Sequence, residues 1–359
     1  MRPLRRLISR RNLRHNLRVL QARAGARRLV AVLKANGYGH GVHLLKEELA
    51  AVPLLAVAAI DEALELRALG YGQPVLLLEG IFHREEITLC RRERFIPLIH
   101  NFAQLHWLRE AAQPLAIWLK FDSGMHRLGF SLAELAEFTR VLREAPQLRL
   151  TGLASHFNRA DEADLAPSRR QQAQIAELLR LYPDLQRSFS NSAALFSLDD
   201  VAEDFVRPGL ALYGMSPFAH RSAAELELRP VMELTTEILA VHELSAGDRA
   251  GYGGQFVAPA AGYLATIALG YGDGFKREII SGRPHLLVQG RTYPLVGRVA
   301  MDMSLLWLGA DTARPGDEVI IFGADNPAET LAAALDTIPY TLSTTLTARV
   351  ATVLRPAGD

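Results

Sequence analysis

Residues 29–70 read LVAVLKANGYGHGVHLLKEELAAVPLLAVAAIDEALELRALG, and this stretch contains the first two units of a repeating strand and helix pattern. Its two apolar runs, LVAVLK (29–34) and LLAVAA (54–59), are rich in Val, Leu and Ala and lack polar alternation, which is typical of strands buried on both faces. The segment DEALELRALG (61–70) has the apolar spacing of an amphipathic helix. The stretch therefore predicts buried parallel strands that are joined through helices.

The same alternation continues through residues 28–230. Six further apolar runs follow: PVLLLE (74–79), FIPLIH (95–100), LAIWLKFD (115–122), LTGLASHF (150–157), RSFSNSA (187–193) and VRPGLALYG (206–214). Helical patterns lie between them, for example SLAELAEFTRVLREA (131–145) and RRQQAQIAELLRLY (169–182). Eight apolar runs alternating with helices predict a (β/α)8 barrel, and a doubly wound open sheet is the alternative.

After Pro230 the sequence changes character. Strand-like runs such as VMELTTEILAVHEL (231–244) are broken by Gly and Pro, and a helical pattern, PAETLAAALDTI, appears only at 327–338. We therefore expect two domains, a (β/α)8 barrel over residues 1–230 and a mainly β domain over residues 231–359. The length of 359 residues agrees with this division, since one domain usually has about 100–200 residues.

The composition excludes several classes of protein. Forty Lys and Arg residues against 39 Asp and Glu give a net charge of +1, so no strong field favours nucleic acid as a partner. No stretch approaches the roughly 18 consecutive apolar residues of a membrane span. Cys90 is the single cysteine, so no disulfide can form within the chain, which favours a reducing compartment. These features predict a cytoplasmic globular enzyme.

The N-terminal segment is strongly basic. Residues 1–28 contain ten arginines and no acidic residue. A composition rich in arginine and poor in acidic residues is also typical of organelle transit peptides. The segment has no apolar core for a secretory signal, however, and Leu13, Leu17 and Leu20 recur at helical spacing. We interpret it as a first strand and helix with an exposed basic face.

The most informative local segment is AVLKANGYGHG, residues 31–41. Lys34 is predicted to end the first barrel strand, so its side chain should reach the C-terminal mouth, where barrel enzymes have their active sites. Burial in an apolar mouth disfavours the ammonium form and leaves a nucleophilic amine. The glycines at 37, 39 and 41 let the backbone approach a ligand closely. A surface lysine followed by a turn is the alternative interpretation.

This segment resembles the pyridoxal-phosphate attachment motif of alanine racemases. Further motifs of that family follow in the same order: AVAAIDEALELRALG, KFDSGMHRLGF, GLASHFNRADE, SNSAA, RPGLALYGMSP, GYGGQF, LGYGDGFKR, GRVAMDMS and TIPY. The resemblance covers nearly the whole chain. It implies an isomerase that interconverts L- and D-alanine with pyridoxal phosphate bound in the barrel. It also implies a homodimer in which the C-terminal β domain of one subunit completes the site of the other.

The resemblance implies these cofactor contacts: a covalent bond from Lys34, phosphate contacts from Tyr38, Ser192 and the backbone N–H groups of Gly209 and Leu210, and a pocket contact from Tyr340. It puts Arg207 opposite the pyridine nitrogen, with His156 supporting the arginine. A guanidinium keeps its protons, so the ring withdraws electrons weakly and racemisation is favoured over side reactions. Without the resemblance, Arg207 is a buried arginine bound to backbone carbonyls, and His156 is a core residue with its hydrogen bonds satisfied.

Racemisation needs a base on each face of the substrate, and the resemblance implies Lys34 for the D-enantiomer and Tyr252 for the L-enantiomer. A free tyrosine titrates near about 10, so nearby cations and a hydrogen bond to the phenolate must lower the pKa of Tyr252. The resemblance also implies that Tyr252 acts in the site built around Lys34 of the other subunit. Without it, Tyr252 is an aromatic residue in a glycine-rich turn.

The resemblance implies substrate contacts as well. Arg127 would bind the substrate carboxylate through its planar fork. Met301 would offer its backbone N–H to the same group, with Asp302 orienting that stretch. Tyr271 and Tyr340 would line the entrance and the cofactor pocket and restrict the size of the substrate side chain.

Two positions near the site leave alternatives open. Thr341 stands where relatives more often carry an acidic residue, a departure that concerns the entrance and leaves the chemistry untouched. Lys120 corresponds to a lysine that many relatives carry as a carbamate, an anion that can hold Arg127. A lysine paired with Asp122 is the alternative, because burial alone does not demand carbamylation.

Three other functions share parts of this sequence pattern. A racemase with broader amino-acid specificity is the nearest alternative, and the absence of a secretory signal argues against its periplasmic representatives. A non-catalytic pyridoxal-phosphate carrier would not need the β domain with Tyr252 and Met301, and a decarboxylase is disfavoured by the short chain and the AGYGG motif. The sequence predicts no metal site. It does not separate D-alanine supply for the cell wall from alanine catabolism.

Overall fold

The computed structural model describes residues 2–355, which form two compact units. One unit comprises residues 14–212 and 217–221, and the other comprises residues 2–13, 213–216 and 222–355. Within residues 2–355, no helix is long and apolar enough to cross a membrane.

The chain begins with β1 (Arg5–Ile8) and α1 (Arg10–Ala24). The strand and helix predicted within the basic N-terminal segment are therefore confirmed. Arg11, Arg14 and Arg18 are exposed along α1, while Leu13 and Leu20 on its other side are fully buried. This division into a charged and an apolar side is what the leucine spacing predicts.

The first unit contains the barrel. After α1 its elements are β2 (Arg28–Val32), α2 (Lys34–Tyr38), β3 (Leu54–Val57), α3 (Ile60–Ala68), β4 (Val75–Leu77), α4 (Glu86–Arg92), β5 (Phe95–Ile99), α5 (Phe102–Leu108), β6 (Leu115–Lys120), α6 (Leu135–Arg143), β7 (Leu148–Ala154), α7 (Ala166–Leu181), β8 (Gln186–Ser188), α8 (Ser192–Ser197) and β9 (Phe205–Val206). Strands β2 to β9 pair in parallel and in chain order, and β9 returns to β2, where Arg28 pairs with Phe205. The closed ring confirms the predicted (β/α)8 barrel and excludes the open sheet.

Strands β6 and β7 pack through a large residue beside a glycine. A Cβ on Gly152 would lie 2.3 Å from Cε2 of Trp118, so the indole occupies the space that a side chain at 152 would need. Trp118 is fully buried, and its ring lies 6.0 Å from that of Phe205. Aromatic side chains bury about 150–250 Å² each and dominate the energetics of such cores.

The second unit is mainly β, as the sequence predicts. Its further elements are β10 (Met232–Leu244), β11 (Arg249–Ala250), β12 (Phe256–Val257), β13 (Gly262–Ile267), β14 (His285–Val288), β15 (Arg291–Val296), β16 (Ser304–Gly309), β17 (Glu318–Phe322), α9 (Ala328–Ala334), α10 (Pro339–Thr344) and β18 (Ala351–Leu354). The first half of β10 pairs with β17 and the second half with β13, with a register shift between Ile238 and Ala240. The long strand can serve two partners because the irregularity there bends it.

The first strand belongs to this second unit. Arg5 pairs with Thr235 in antiparallel β10 and with Ala351 in parallel β18, so β1 fills the gap between two C-terminal strands. The predicted division at residue 230 assigned β1 to the barrel domain. Nothing in the local pattern of residues 5–8 indicates this pairing, because strand partners are chosen by tertiary contacts.

Candidate active site

Lys34 lies just beyond the first barrel strand. Strand β2 ends at Val32, so the prediction that Lys34 is its last residue is wrong by two positions. Leu33 still donates its N–H to Ala56 O of β3 at 2.8 Å, and the backbone then leaves the sheet. Lys34 begins α2, at the carboxyl end of the barrel strands, where barrel enzymes have their catalytic residues.

Segment α2 is a left-handed turn. The four residues after Lys34 have positive φ angles, namely Ala35 (52°), Asn36 (53°), Gly37 (61°) and Tyr38 (53°). An L-residue other than glycine pays about 1–2 kcal/mol for this conformation, so the turn must be held by contacts around it. Such strain is characteristic of functional sites. The sequence predicts the glycine freedom here but not the left-handed Ala35 and Asn36.

The environment of Lys34 favours its neutral amine. Burial lowers the pKa of Lys34, and the nearby Arg127 guanidinium lowers it further, while Glu79 and Glu62 act in the opposite direction. A lysine with a lowered pKa has a larger fraction of nucleophilic amine at neutral pH. Glu79, which follows β4, was not predicted as a site residue, although its place after the apolar run PVLLLE could have indicated it.

Tyr38, Ser192 and Gly209 come together beside this turn. A Cβ on Gly209 would lie 2.4 Å from the Tyr38 hydroxyl oxygen, so only glycine leaves room for the phenol. Ser192 Oγ accepts hydrogen bonds from the N–H groups of Gly209 (3.0 Å) and Ala211 (3.2 Å). Since both of those contacts use its lone pairs, the Ser192 hydroxyl keeps its proton to donate to a ligand. The Leu210 N–H has no hydrogen-bond partner among the described residues.

Arg207 is buried at the end of β9 and is held by backbone and side-chain oxygens. Its guanidinium donates to the Ser188 hydroxyl at 2.7 Å, to Ser188 O, and to Ser155 O at 2.6 Å. Burial lowers the pKa of Arg207 to about 10, against the opposing effect of Glu203, so the side chain remains charged at neutral pH. Its Nη2 lies 3.4 Å from His156 Nδ1. The structure thus contains both the carbonyl contacts and the His156 contact that the sequence left as alternatives.

His156 is surrounded by cations. Burial lowers its pKa well below the ordinary value, and Lys120, Arg207, Arg127 and Lys34 lower it further. A neutral imidazole can accept a hydrogen bond from Arg207, whereas an imidazolium could not.

Lys120 at the end of β6 does not pair with Asp122. The Asp122 carboxylate accepts instead from the N–H groups of Gly124, Met125 and His126 at 2.9–3.0 Å. Burial lowers the pKa of Lys120 well below its ordinary value, and Arg207 and Arg127 lower it further, while the charge of Asp122 acts in the opposite direction. Neither the ammonium group of Lys120 nor the guanidinium of Arg127 has a hydrogen-bond or ion-pair partner within residues 2–355. This accumulation of positive charge would be stabilised by a bound anion.

Glu203 is a buried carboxylate that the sequence did not indicate. It accepts from the N–H groups of Phe189 (2.7 Å) and Ser190 (2.8 Å) and contacts Arg27 at 3.2 Å. These contacts fix the segment after β8 that carries Ser192. No local signal distinguishes Glu203 from a surface residue, because its partners come from distant parts of the chain.

The remaining predicted residues lie in the β unit. Tyr252 is 69% exposed, in the turn between β11 and β12, and Met301 is 52% exposed in the loop between β15 and β16. Tyr271 donates its N–H to Ala300 O at 3.0 Å, and Gly272 donates its N–H to Met301 O at 2.9 Å. The loops that carry Tyr271 and Met301 are therefore hydrogen-bonded together. The exposed side chains of Tyr271 and Met301 therefore lie on adjoining loops, and exposed large side chains grouped in this way are characteristic of interaction sites.

Charged residues stabilise the loop that contains Met301. Asp302 contacts Arg349 through its carboxylate. Asp273 is fully buried and pairs with Arg2 at 2.8 Å and with Arg349 at 3.4 Å. The Met301 N–H has no partner in the described part of the chain.

Tyr340 and Thr341 lie in the first turn of α10, which begins at Pro339. Tyr340 is partly buried, and its carbonyl accepts from Thr344 Oγ1 at 2.7 Å. A proline at the first helical position explains why the helix starts there.

Comparisons with known proteins match nearly the whole chain to one family. The family model for the N-terminal domain of alanine racemase matches residues 8–217, and the model for the C-terminal domain matches residues 231–354. The chain is 45% identical to the alanine racemase of Dichelobacter nodosus over 351 residues, covering 98% of each sequence. It is 41% identical to the biosynthetic alanine racemase of Escherichia coli, covering 96% of this chain and 97% of the relative.

Solved structures give the same result. The biosynthetic alanine racemase of Pseudomonas aeruginosa superposes with a TM-score of 0.95 at 38% identity, covering 99% of this chain and all of that one. The alanine racemase from Acinetobacter baumannii superposes with a TM-score of 0.93 at 36% identity, with the same coverage.

Proposed function

This chain belongs to the alanine racemase family, and we propose that it interconverts L- and D-alanine with pyridoxal phosphate held at the mouth of its barrel. The observation that carries the proposal is the cluster around Lys34. There a lysine with a lowered pKa lies in an excess of positive charge, near Tyr38, Ser192 and the backbone of Gly209.

The described residues fit pyridoxal phosphate. Its phosphate needs hydrogen-bond donors, and the Ser192 hydroxyl, the Leu210 N–H and the Tyr38 hydroxyl are donors of this kind. The amide of Gly209 already donates to Ser192, so its contribution acts through that hydroxyl. The neutral amine of Lys34 is the group that can bond covalently to the aldehyde.

Residues of this chain supply both bases of the proposed reaction. When bound, pyridoxal phosphate withdraws electrons from the substrate Cα and makes its proton removable. Lys34 Nζ takes or returns the proton on one face, and Tyr252 Oη does so on the other. Arg207 would donate a hydrogen bond to the ring nitrogen of the bound cofactor and keep its own protons, so electron withdrawal would stay weak and side reactions would be suppressed. Arg127 binds the substrate carboxylate and fixes the orientation of Cα between the two bases.

We further propose that the protein works as a homodimer with two composite sites. Tyr252 and Met301 are exposed on the β unit, which supports a role for this surface in binding a second copy. A two-fold dimer would then contain two identical sites, each with Lys34 from one subunit and Tyr252 from the other. The Met301 N–H, which has no partner among the described residues, would be available to the substrate carboxylate in such a site.

Lys120 is proposed to carry a carbamate. A neutral amine adds to carbon dioxide and loses one proton, which turns the lysine into an anion. The lowered pKa of Lys120 favours the required neutral form, and the unpaired Arg127 supplies a partner for the resulting charge. The absence of a Lys120–Asp122 ion pair among the described residues supports this choice over the alternative.

The biological role proposed is supply of D-alanine for the cell wall in the cytoplasm. The relatives from Escherichia coli and Pseudomonas aeruginosa, which match 96% and 99% of the chain, are named biosynthetic alanine racemases. The single cysteine, Cys90, is buried and free, which suits a reducing compartment.

One experiment tests the activity and the cofactor together. Purified protein loaded with pyridoxal phosphate should abolish the optical rotation of L-alanine, and borohydride reduction should leave the pyridoxyl mass on Lys34. Serine, lysine and arginine should react much more slowly than alanine, since Tyr271 and Tyr340 restrict the substrate side chain. Cofactor binding without loss of rotation would indicate a carrier, and equal rates on all four amino acids would indicate a broad-specificity racemase.

A further inference from the structure

Lys34 and Tyr38 stand at the two ends of a backbone conformation that L-residues avoid. Ala35, Asn36 and Tyr38 each have φ between 52° and 53°. Because an L-residue other than glycine adopts this conformation only at an energetic cost, the turn would relax to a right-handed form without outside support. The side chains that supply this support therefore also determine where Lys34 and Tyr38 point.

Glu62 supports the beginning of the turn. Its Oε1 accepts from the Ala35 N–H at 2.6 Å, and its Oε2 accepts from the Ala58 N–H at 2.8 Å. Ala58 directly follows β3, and Glu62 lies in the first turn of α3. One carboxylate thus links the residue next to Lys34 to the end of the neighbouring barrel strand. Hydrogen bonds to a charged acceptor are roughly twice as strong as neutral ones.

His40 supports the end of the turn. It is fully buried, and its Nδ1 lies 2.9 Å from Gly37 O and 3.0 Å from Tyr38 O. Carbonyl oxygens only accept hydrogen bonds, so Nδ1 carries the proton and donates it to both. The imidazole therefore holds the two carbonyls that must converge when the backbone turns left-handed.

We propose that Glu62 and His40 are positioning residues that together hold the left-handed turn and thereby set the positions of Lys34 Nζ and Tyr38 Oη. Neither side chain contacts the reacting atoms, so each acts through the backbone that it holds. The inference rests on the proposed function, because only in that reaction do these two atoms serve as base and phosphate donor.

Each residue has a simpler explanation that an experiment must exclude. Glu62 could merely cap α3 through Ala58, and His40 could merely satisfy buried carbonyls. The cap explanation predicts that a Glu62 variant has faster amide hydrogen exchange at residues 58–62. The positioning explanation predicts faster amide hydrogen exchange at residues 33–42. Glu62 contacts this segment at Ala35, 27 positions away in the chain.

Conservative substitutions separate these explanations. Glu62→Gln replaces one acceptor oxygen by an NH2 donor, which then faces the N–H of Ala35 or Ala58. Asp61→Asn removes the same charge from an exposed neighbour in α3 and serves as the matched control. His40→Asn keeps an N–H close to the position of Nδ1, and His40→Gln places its amide near the position of Nε2 instead. We therefore expect His40→Asn to rescue what His40→Gln loses.

Three measurements on the purified, cofactor-loaded protein test the proposal. In Glu62→Gln and His40→Gln, amide hydrogen exchange over residues 33–42 should be about tenfold faster or more, and the Kd for pyridoxal phosphate should rise by a similar factor. In both variants kcat should fall more than KM changes, since the base is displaced while Arg127 still binds the carboxylate. Asp61→Asn should match wild type in all three, and His40→Asn should lie within about threefold of it.

Exchange over residues 33–42 that is unchanged in both Glu62→Gln and His40→Gln would overturn the proposal. So would faster exchange confined to residues 58–62. Failure of the proposed function would look different, because wild-type protein would then neither bind pyridoxal phosphate nor racemise alanine. The exchange pattern of the variants can still be read in that case, since it requires no activity.

Discussion

Replacing Gly209 by alanine should displace the Tyr38 hydroxyl. The new Cβ would lie 2.4 Å from Tyr38 Oη and 3.0 Å from Cζ. Non-bonded carbon atoms keep roughly 3.5–4.0 Å from their neighbours, so the hydroxyl must move by about 1 Å. Gly209 has an ordinary φ, so the backbone can accept alanine without strain of its own.

The size of the effect follows from the hydrogen bond that is lost. A bond to a charged group such as a phosphate contributes about 1.5–3 kcal/mol, which corresponds to a Kd for pyridoxal phosphate that is about 10–100 times weaker. A displacement of about 1 Å can also reduce the rate about 100-fold. Equilibrium dialysis of the cofactor and kcat/KM for L-alanine measure the two effects.

A double-mutant cycle tests the reasoning. Tyr38→Phe alone should weaken cofactor binding about as much as Gly209→Ala does, because each removes the same hydrogen bond. The double variant should then bind only about threefold more weakly than Tyr38→Phe, since the clashing oxygen is already gone. Gly72→Ala is the control, because nothing lies within 4 Å of a Cβ at that glycine. If the losses of the two single variants multiply in the double variant, the contact between Gly209 and the Tyr38 hydroxyl does not explain the effect.

Three further predictions concern the bases and their support. Lys34→Ala and Tyr252→Phe should each be nearly inactive, while their purified heterodimer should regain about half of the wild-type activity, because one of its two composite sites has both bases; a heterodimer as inactive as its parents would contradict the shared site. Arg207→Glu should lower racemase turnover strongly and raise pyruvate formation from alanine, since a carboxyl group can protonate the ring nitrogen; pyruvate at the wild-type level in the folded variant would contradict the role given to the arginine. Lys120→Ala should raise KM for alanine, and a short added carboxylate should partly restore it. Carbon-13 bicarbonate should label the wild type but not the variant. Normal kinetics of the variant without added carboxylate would exclude a functional role for Lys120.

The barrel could be predicted from sequence because its strands are buried on both faces. Continuous apolar runs such as those at 29–34 and 54–59 are a local property, and their order along the chain is the order of pairing in a parallel barrel. The change in composition after Pro230 is likewise visible without a structure. The segment AVLKANGYGHG indicated the position of Lys34 to within two residues of the end of the first barrel strand.

Several features could only be decided by tertiary structure. Strand β1 pairs with β10 and β18, which lie more than two hundred residues away in the chain. The four residues of β1 do not by themselves indicate these partners. Ala35 and Asn36 are left-handed against the preference of both residues, because Glu62 holds the Ala35 N–H and His40 holds the carbonyls of Gly37 and Tyr38.

The same distinction applies to the charges of the site. Lys34, Lys120 and Arg207 are ordinary basic residues in the sequence. Their lowered pKa values arise from burial and, for the two lysines, also from neighbouring guanidinium groups. Apolar periodicity acts over a few residues and can be read along the chain. Electrostatic and hydrogen-bond partners are set by distance in space, so they exist only once the barrel has closed and brought the ends of its strands together.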